Sequence, residues 1–416
     1  MRKLISVSLL SGVMTLIKMI MGFAVSKAVA VYTGPAGMAI LGQVQSVILS
    51  LNGIINSPVG NGVIKYTSEN GPDYHKCSPW WRASLSYVFG LSIITIVLGC
   101  FFAENISKAL FNQGEYYWLV IVMVLVCPLT AMGTLISSIL NGLQNYKQYL
   151  LTGMLSAILS GLVMIVTIIH YGVLGALISA TIQYALIGFV SILVNAYQPW
   201  LKVKFLVGSV SSEVKKNIAE FIFMTLVSAV ALPLGMLIIR SILIRHTGWQ
   251  AAGEWQAVWK ISEAYLSIIT MGLAVYYLPK LSTLHDRDAM LSEIRSVAAV
   301  VLPVIVIMAV MVYLLRDFAI SLLYTEQFRS ARDLFKIQLI GDVIKVMSWL
   351  YAYPLIAKKA TRLFVSTEII FTATLIFLSY YFILSFGVQG ANIAYAVNYL
   401  LYFAFVYFAV NKYIKM

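Results

Sequence analysis

Apolar residues run through most of this chain in blocks that are long enough to cross a lipid bilayer. A transmembrane helix needs about 20 predominantly apolar residues, and twelve segments meet that requirement. They are 4–31, 38–63, 83–103, 117–140, 148–169, 173–196, 218–244, 253–279, 294–323, 334–356, 362–385 and 389–411. Glycine and proline stand between several of them, as at Gly34-Pro35 and Gly71-Pro72, where the chain is expected to turn. The pattern predicts an all-α polytopic membrane protein with twelve transmembrane helices.

The composition supports this interpretation and excludes several classes of soluble protein. Of 416 residues, 61% are apolar and only 11% are charged, whereas a soluble domain has about 45–50% apolar and about 25% charged residues. The mean hydropathy is +0.89, which excludes a disordered chain, a nucleic-acid-binding domain and an ordinary soluble enzyme. The three cysteines form no C-x-x-C motif and the four histidines are far apart in sequence, so we expect neither a metal site nor a cofactor.

The net charge of +13 is concentrated between the predicted spans and sets their orientation. Cytoplasmic loops of membrane proteins carry an excess of Lys and Arg. If the N-terminus is cytoplasmic, eighteen of these residues fall on the cytoplasmic side and five on the opposite side. This asymmetry predicts that both termini are cytoplasmic.

The two halves of the chain share short sequence patterns at spacings of 215 and 216 residues, which indicates an internal duplication. The segment YGVLGA at 171–176 matches FGVQGA at 386–391, and Lys147 corresponds to Arg362 at the same spacing of 215 residues. Gly37 corresponds to Gly253 at a spacing of 216. Six helices per half would give both halves the same topology. We therefore predict six-helix bundles at 1–197 and 218–416, related by a parallel repeat and joined by a basic cytoplasmic linker at 198–217.

Several charged and polar residues lie inside the N-terminal spans, where a charge at the bilayer centre costs about 2.5–3.5 kcal/mol. Lys18 is near the middle of the first span, and we interpret it as lining a cavity. Lys27 is a second cavity candidate, although snorkelling toward the outer interface explains it equally well. Gln45, Asn52 and Asn56 share one face of the second span. They indicate either a substrate groove or hydrogen bonds between helices.

The C-terminal spans contain two pairs of opposite charges. Lys260 precedes Glu263 by three residues, Asp342 precedes Lys345 by three, and Gln338 lies one turn before Asp342. Residues at these spacings share a helical face. Each pair therefore predicts either mutual neutralisation or residues that line a polar cavity.

Two further intramembrane charges stand alone in the sequence. Glu368 has no basic residue near it in its span, so we assign it, together with Asp342, as a candidate site for proton or cation coupling. Arg240, close to the outer end of its span, is expected to snorkel. The charges within the spans sum to only +1 to +3. A mildly cationic cavity suits an anionic group such as phosphate or pyrophosphate.

Motifs across nearly the whole chain resemble those of Wzx-type flippases. They are the stretch Ser11–Gly37, the run GEWQAVWKISEAYL at 253–266, YLPKLS at 277–282, RDFAI at 316–320, RDLF at 332–335, GDVIK at 341–345 and IAK at 356–358. This family belongs to the multidrug/oligosaccharidyl-lipid/polysaccharide exporter superfamily. Within it, the pattern is most similar to that of flippases for the enterobacterial common antigen lipid intermediate.

The resemblance implies a function that the residues alone do not specify. It implies two bundles in the bacterial inner membrane, with a central cavity that opens to one side at a time. The implied substrate is an undecaprenyl-pyrophosphate-linked oligosaccharide, moved from the cytoplasmic to the periplasmic leaflet for O-antigen assembly, with an O-antigen polymerase and a chain-length regulator as partners. The positions that match the family's pattern as cavity residues are Lys18, Lys27, Glu263, Asp342 and Lys345. Lys260 is a weaker assignment, since relatives need not be basic there.

Other functions are consistent with the same chain. One alternative is a flippase for another lipid-linked glycan, the enterobacterial common antigen, and another is a cation-coupled multidrug exporter of the same superfamily. An integral-membrane enzyme, either a polymerase or a glycosyltransferase, would need a sizeable outside loop for its catalytic groups. The longest predicted outside loops, 104–116 and 324–333, are too short for this. We therefore expect a transporter and no catalytic residues.

Overall fold

In a computed structural model of the chain, described for residues 2–111, 114–284, 286–357 and 360–413, every long element is an α-helix and no strand occurs among these residues. The α-helices are α1 (Arg2–Asn56), α2 (Asn61–Asn70), α3 (Tyr74–Phe101), α4 (Ala103–Phe111), α5 (Tyr117–Gly142), α6 (Tyr146–Asn195), α7 (Val203–Leu206), α8 (Ser212–Gly272), α9 (Leu278–Thr283), α10 (Arg287–Leu314), α11 (Arg316–Leu323), α12 (Phe335–Ala357), α13 (Thr361–Phe386) and α14 (Val388–Tyr413). A π-helix at Leu273–Tyr277 joins α8 to α9, and a 3-10 helix at Glu326–Leu334 precedes α12. The predicted all-α fold is confirmed.

Eight helical stretches of the described chain are long and apolar enough to cross a membrane. Three long helices are divided by a glycine with positive φ: α1 at Gly34, α6 at Gly172 and α8 at Gly248. These are places where the sequence predicts one span to end and the next to begin. The number of helices that cross the membrane stays a prediction.

Side-chain caps explain where several of the helices begin. The carboxylate of Asp73 accepts a hydrogen bond from the backbone N–H of His75 at the start of α3. Asp286 accepts from Ala289 N at 3.0 Å at the start of α10. Such caps satisfy backbone donors that have no partner within the helix.

The backbone has nearly the same conformation at two glycines that correspond in the predicted internal duplication. Gly172 has φ 56° and ψ −129°, and Gly387, 215 positions later, has φ 59° and ψ −139°. Three residues after each of them, a second glycine packs against the preceding helix. A Cβ atom at Gly175 would lie 1.9 Å from the carbonyl oxygen of Thr167, and one at Gly390 would lie 2.1 Å from that of Phe382. Both halves therefore make the same turn, and both require glycine for it.

Gly390→Ala tests this turn. The added Cβ atom must push α14 away from the end of α13, and overpacking of this kind costs about 1–3 kcal/mol. We expect a lower thermal unfolding temperature and a lower yield of monodisperse protein in detergent. Gly90→Ala in α3 is the matched control, since nothing lies within 4 Å of its Cβ position. An unchanged unfolding temperature for Gly390→Ala would show that the turn tolerates a side chain.

The described chain divides into two compact units, and each is considered by itself. Unit 1 comprises Met1–Tyr32 and Ile40–Leu234, and unit 2 comprises Thr33–Ala39 and Gly235–Met416. The boundary between Leu234 and Gly235 falls inside α8. The sequence predicts instead that the C-terminal bundle starts at residue 218. The predicted domain boundaries stay a prediction.

Unit 1 has an apolar core to which the segment after α6 is attached. Trp81 of α3 is fully buried and donates its indole N–H to the hydroxyl of Thr67 at 2.9 Å. The ring of Trp200 packs edge-on against it, with centroids 6.3 Å apart. The hydroxyl of Ser78 donates to the carbonyl of Phe205 at 2.7 Å. Part of the predicted linker is thus fixed to α3 by buried contacts.

Unit 2 is organised around the contact between α12 and α14. Gly341 of α12 lies against the ring of Tyr395, which leaves no space for a larger residue. Trp255 donates its indole N–H to Asn392 Oδ1 at 3.0 Å, and Asn392 donates to the carbonyl of Leu334 at 3.1 Å. These buried polar contacts between helices hold the surroundings of Asp342 in place.

Candidate functional site

Unit 1 contains an open pocket of about 330 Å³ between α1, α5 and α6. Its polar lining consists of hydroxyl and amide side chains, namely Asn56, Thr130, Thr134, Ser137, Ser138, Asn141, Tyr149 and Tyr184. Gly60, Ile64, Gly133 and Ile187 complete it. None of these lining residues is charged. Such a surface offers many neutral donors and acceptors at once.

Gln45, Asn52 and Asn56, which share one face of the second predicted span, are called the polar stripe here. Two of them, Asn52 and Asn56, contact Thr130 in the lining of this pocket. The hydroxyl of Thr130 lies 2.8 Å from Asn52 Oδ1 and 3.5 Å from Asn56 Oδ1. Asn52 is buried, and Asn56 lines the pocket. Gln45 is half-buried two turns before Asn52 in the same helix and does not line the pocket. The stripe therefore combines a helix-to-helix contact at Asn52 with a pocket position at Asn56.

Thr130→Val removes the hydroxyl at this junction while keeping the shape of the side chain. A buried hydrogen bond of this kind contributes about 1 kcal/mol. We expect the free energy of unfolding to fall by that amount and transport to slow, because Asn52 and Asn56 lose their shared partner. Thr167→Val is the matched control, as the Thr167 hydroxyl bonds only carbonyls of its own helix, at 2.9 Å. Equal effects of the two substitutions on transport would contradict a role for the junction.

The two lysines of the first span differ in their surroundings. Lys18 is exposed on α1, and no carboxylate lies within 4 Å of it in the part of the chain that the structure describes. Lys27, nine residues later, is half-buried. Their assignment to a substrate cavity stays a prediction.

Asp342 is the centre of a buried hydrogen-bond cluster in unit 2. Its side chain is fully buried, and it accepts from the hydroxyl of Tyr265 at 2.6 Å and from that of Tyr395 at 2.8 Å. Gln338 donates its amide at 3.2 Å, and Ser262 adds a further hydrogen bond. Donors from α8, α12 and α14 thus converge on one carboxylate, as buried charges require.

Lys345 lies one turn from Asp342 in a cage of aromatic rings. Its Nζ atom is 5.1–5.5 Å from the ring centroids of Trp259, Trp349, Tyr395 and Tyr399, and the residue is 9% exposed. Cation–π attraction of this kind contributes about 0.5–2 kcal/mol per ring, depending on desolvation. The rings stabilise the ammonium group without neutralising its charge.

Neither of the two sequence-adjacent charge pairs is in direct contact, although the charge of Lys345 acts on Asp342 at longer range. Neither Lys260 with Glu263 nor Asp342 with Lys345 forms an ion pair within 4 Å. Glu263 is exposed and accepts instead from the indole N–H of Trp259 at 2.9 Å, while Lys260 is half-buried. Glu368 is half-buried on α13 near Tyr402, apart from the Asp342 cluster. The hydrogen-bond donors to Glu263 and Asp342 are neutral side chains, which the spacing alone does not reveal.

The expectation that Arg240 snorkels is wrong. The side chain is 2% exposed, and its guanidinium donates twice to Gln256 Oε1, at 3.1 and 2.7 Å. It also lies over the ring of Trp255 at 6.0 Å. Sequence reasoning missed this site because Gln256 and Trp255 are on the second section of α8, beyond the kink at Gly248. The signal was present in the motif GEWQAVW, where Gln and Trp side chains interrupt an apolar face.

Among the described residues, no group of three or more His, Cys, Asp or Glu side chains could hold a metal ion. The polar chemistry of the two units is therefore that of hydroxyls, amides, aromatic rings and individual charges. This arrangement can bind and orient a polar ligand.

Comparison with known proteins finds a matching family and two similar flippases. Residues 6–285 match the family described as polysaccharide biosynthesis protein. The chain is 30% identical over 397 residues to the lipid III flippase of Escherichia coli (strain K12), with 95% of both chains covered, and equally similar to the lipid III flippase of Shigella flexneri.

Solved structures show the same fold at lower sequence identity. The inward-facing multidrug resistance MATE family transporter of the MOP superfamily has a TM-score of 0.71 at 16% identity, covering 97% of this chain and 94% of that one. The lipid II flippase MurJ in its inward closed conformation has a TM-score of 0.69 at 13% identity, covering 98% and 87%. The described chain therefore has the same helical fold as these two solved structures.

Proposed function

The chain belongs to the polysaccharide biosynthesis protein family, and from this premise we propose that it is a flippase for a lipid-linked glycan. Relatives that are themselves flippases support transport as its activity, and not catalysis. The proposed transfer runs from the cytoplasmic to the periplasmic leaflet of the bacterial inner membrane by alternating access. The proposal includes a cytoplasmic location for both chain termini, which the distribution of Lys and Arg supports.

The observation that carries this proposal is the uncharged, hydroxyl-rich lining of the pocket in unit 1. A sugar presents hydroxyl groups that both donate and accept, and side-chain hydroxyls and amides complement them. A cationic drug would instead need a carboxylate, because burying an unpaired charge is costly. The lining of this pocket therefore favours a glycan over a cation.

We assign the anionic part of the substrate to the lysines. Lys18, Lys27 and Lys260 are the basic residues proposed to contact a pyrophosphate, together with Lys345. Lys345 is 9% exposed inside its cage of rings, so its proposed contact with a phosphate oxygen requires these rings to move apart. Asp342 and Glu368 are the proposed sites of proton or cation coupling, and Glu263, Gln45, Asn52 and Asn56 are proposed to contact the polar part of the substrate.

The proposed substrate is an undecaprenyl-pyrophosphate-linked O-antigen repeat unit. The enterobacterial common antigen intermediate is the alternative, supported by the similarity to lipid III flippases. An O-antigen polymerase and a chain-length regulator are the proposed partners, since they would use the transferred unit.

Complementation of two strains tests the function and separates the two glycans. One strain lacks its O-antigen flippase and the other lacks its lipid III flippase. We expect this chain to restore surface O-antigen in the first strain more strongly than it restores common antigen in the second. Restoration only in the second strain would identify the alternative substrate.

A deletion strain of the native host distinguishes a flippase from a drug exporter. We expect loss of surface glycan with unchanged sensitivity to cationic drugs. Increased drug sensitivity with a normal surface glycan would overturn the proposed function.

A further inference from the structure

A second cavity, of about 310 Å³, lies on the outer face of unit 2 between α10 and α12. Its walls are apolar side chains, namely Val306, Ala309 and Val310 from α10 and Leu339, Ile340 and Val343 from α12. Val310 and Ile340 are 51% and 52% exposed. We call this cavity the α10–α12 groove.

If α10 and α12 cross the membrane as predicted, the groove extends from one membrane interface toward the bilayer centre. On each helix its lining covers eight residues, 306–313 and 336–343, which corresponds to about 10 Å at 1.5 Å per residue. One leaflet of a bilayer core is about 15 Å thick. Because α10 ends at Leu314 and α12 begins at Phe335, the end formed by Tyr313 and Lys336 is the interfacial one.

Two cations stand at that interfacial end. Lys336 is exposed and lines the groove. The guanidinium of Arg316 lies 4.1 Å from the ring centroid of Tyr313 and donates to the Tyr313 carbonyl at 2.6 Å. Asp317, the nearest acid in sequence, pairs with Arg332 at 3.4 Å. Asp333 is exposed and forms no ion pair within 4 Å among the described residues.

We propose that the α10–α12 groove binds the polyprenyl chain of the lipid carrier, with Lys336 and Arg316 contacting its diphosphate. This inference rests on the proposed function and adds a lipid-binding site to it. The apolar walls match an isoprenoid chain, and the two cations match a group that carries more than one negative charge. By the predicted topology this end faces the periplasm, so the groove would hold the carrier after transfer.

The two cations at the interfacial end favour a single-chain diphosphate over a membrane phospholipid. The groove lies between two adjacent helices, and its lining extends over about 10 Å. A two-chain phospholipid would leave its second chain outside and would present only one phosphate to Lys336 and Arg316. Bulk lipid contacts any apolar face of a membrane protein, so selectivity for a single-chain diphosphate is what distinguishes a site.

Binding of undecaprenyl diphosphate to the purified full-length protein in detergent, measured by native mass spectrometry, tests the proposal. Val310→Trp fills the groove, and we expect it to weaken binding about tenfold. Val304→Trp is the matched control, on the same helix, 42% exposed and outside the groove. A monodisperse elution profile establishes that each variant is folded.

The charge contribution is tested in the same assay. Lys336→Gln combined with Arg316→Gln should weaken binding of undecaprenyl diphosphate severalfold. Arg329→Gln should not, because Arg329 pairs with Glu326 away from the groove. Phosphatidylglycerol should compete poorly with undecaprenyl diphosphate.

Two results would overturn the proposal: unchanged binding by Val310→Trp, or equal competition by phosphatidylglycerol, which would indicate a general anionic-lipid surface. The probe carries no glycan, so binding is independent of transport. If undecaprenyl diphosphate binds in the α10–α12 groove but the protein does not transfer a glycan, the proposed function is rejected and the lipid site is retained. If the protein transfers a glycan but binding does not depend on the groove, the lipid site is rejected and the proposed function is retained.

Discussion

Asp342→Ala is expected to lower the free energy of unfolding by about 3–5 kcal/mol, because several buried hydrogen-bond donors lose their acceptor at about 1–3 kcal/mol each. It is also expected to abolish export of the glycan. The substitution leaves the hydroxyls of Tyr265 and Tyr395 and the amide of Gln338 without their shared acceptor. Each unsatisfied buried donor costs about 1–3 kcal/mol, and some of that cost is recovered when the tyrosines rotate toward other acceptors.

Thermal unfolding in detergent and surface glycan in a complemented deletion strain are the two measurements. Asp333→Ala is the matched control: this aspartate is exposed, and Gln389 donates to its backbone carbonyl, which the substitution keeps. We expect a change below about 0.5 kcal/mol for the control. Similar unfolding temperatures for the two variants would contradict the central position of Asp342 in the cluster.

Asp342→Asn separates a structural from a coupling role. The amide keeps the volume and one carbonyl acceptor, but its NH₂ group faces the donors of the cluster. Stability should therefore fall less than in Asp342→Ala. If Asp342 takes up and releases a proton, export is lost in both variants. If Asp342→Asn retains more export than Asp342→Ala, in proportion to its higher stability, the role of the carboxylate is structural. Glu368 would then be the remaining candidate for coupling.

The helical fold could be predicted from sequence because membrane spans are specified by hydrophobicity over about 20 residues. The turns at Gly172 and Gly387 were also predictable, since a positive φ and a close backbone contact both require glycine. What hydropathy does not specify is whether a long apolar run is one helix or two helices joined at a glycine. That distinction depends on local backbone angles.

The candidate site was predictable only in part. A charged residue in an apolar span is conspicuous, so Asp342 and Lys345 were identified. Their partners were not, because Tyr265 and Tyr395 are aromatic residues in apolar helices and resemble any lipid-facing ring. Arg240 was misassigned because its partner Gln256 lies on the section of α8 beyond the kink at Gly248. A partner on another helix becomes visible only when the helices pack.

Asp342 and Lys18 are both intramembrane charges, yet the structure gives opposite expectations for their removal. Asp342 is fully buried and satisfied by donors from several helices. Lys18 is exposed, lies 16 residues from Arg2 and 16 from the kink at Gly34, and has no carboxylate within 4 Å among the described residues. The fold therefore depends on Asp342, whereas Lys18 forms no ion pair among the described residues.

Lys18→Ala is therefore expected to abolish surface glycan while the protein inserts into the membrane normally and unfolds at an unchanged or higher temperature. An unpaired charge at this depth costs about 2.5–3.5 kcal/mol, so its removal relieves the fold and deprives the substrate pyrophosphate of a cation. Lys18→Arg should retain export because it keeps the charge. Lys108→Ala is the control, since Lys108 pairs with Glu104 at 2.5 Å outside the predicted spans and should not affect export. Wild-type glycan in Lys18→Ala would remove this residue from the substrate path, and a large loss of stability would show that Lys18 has a structural partner.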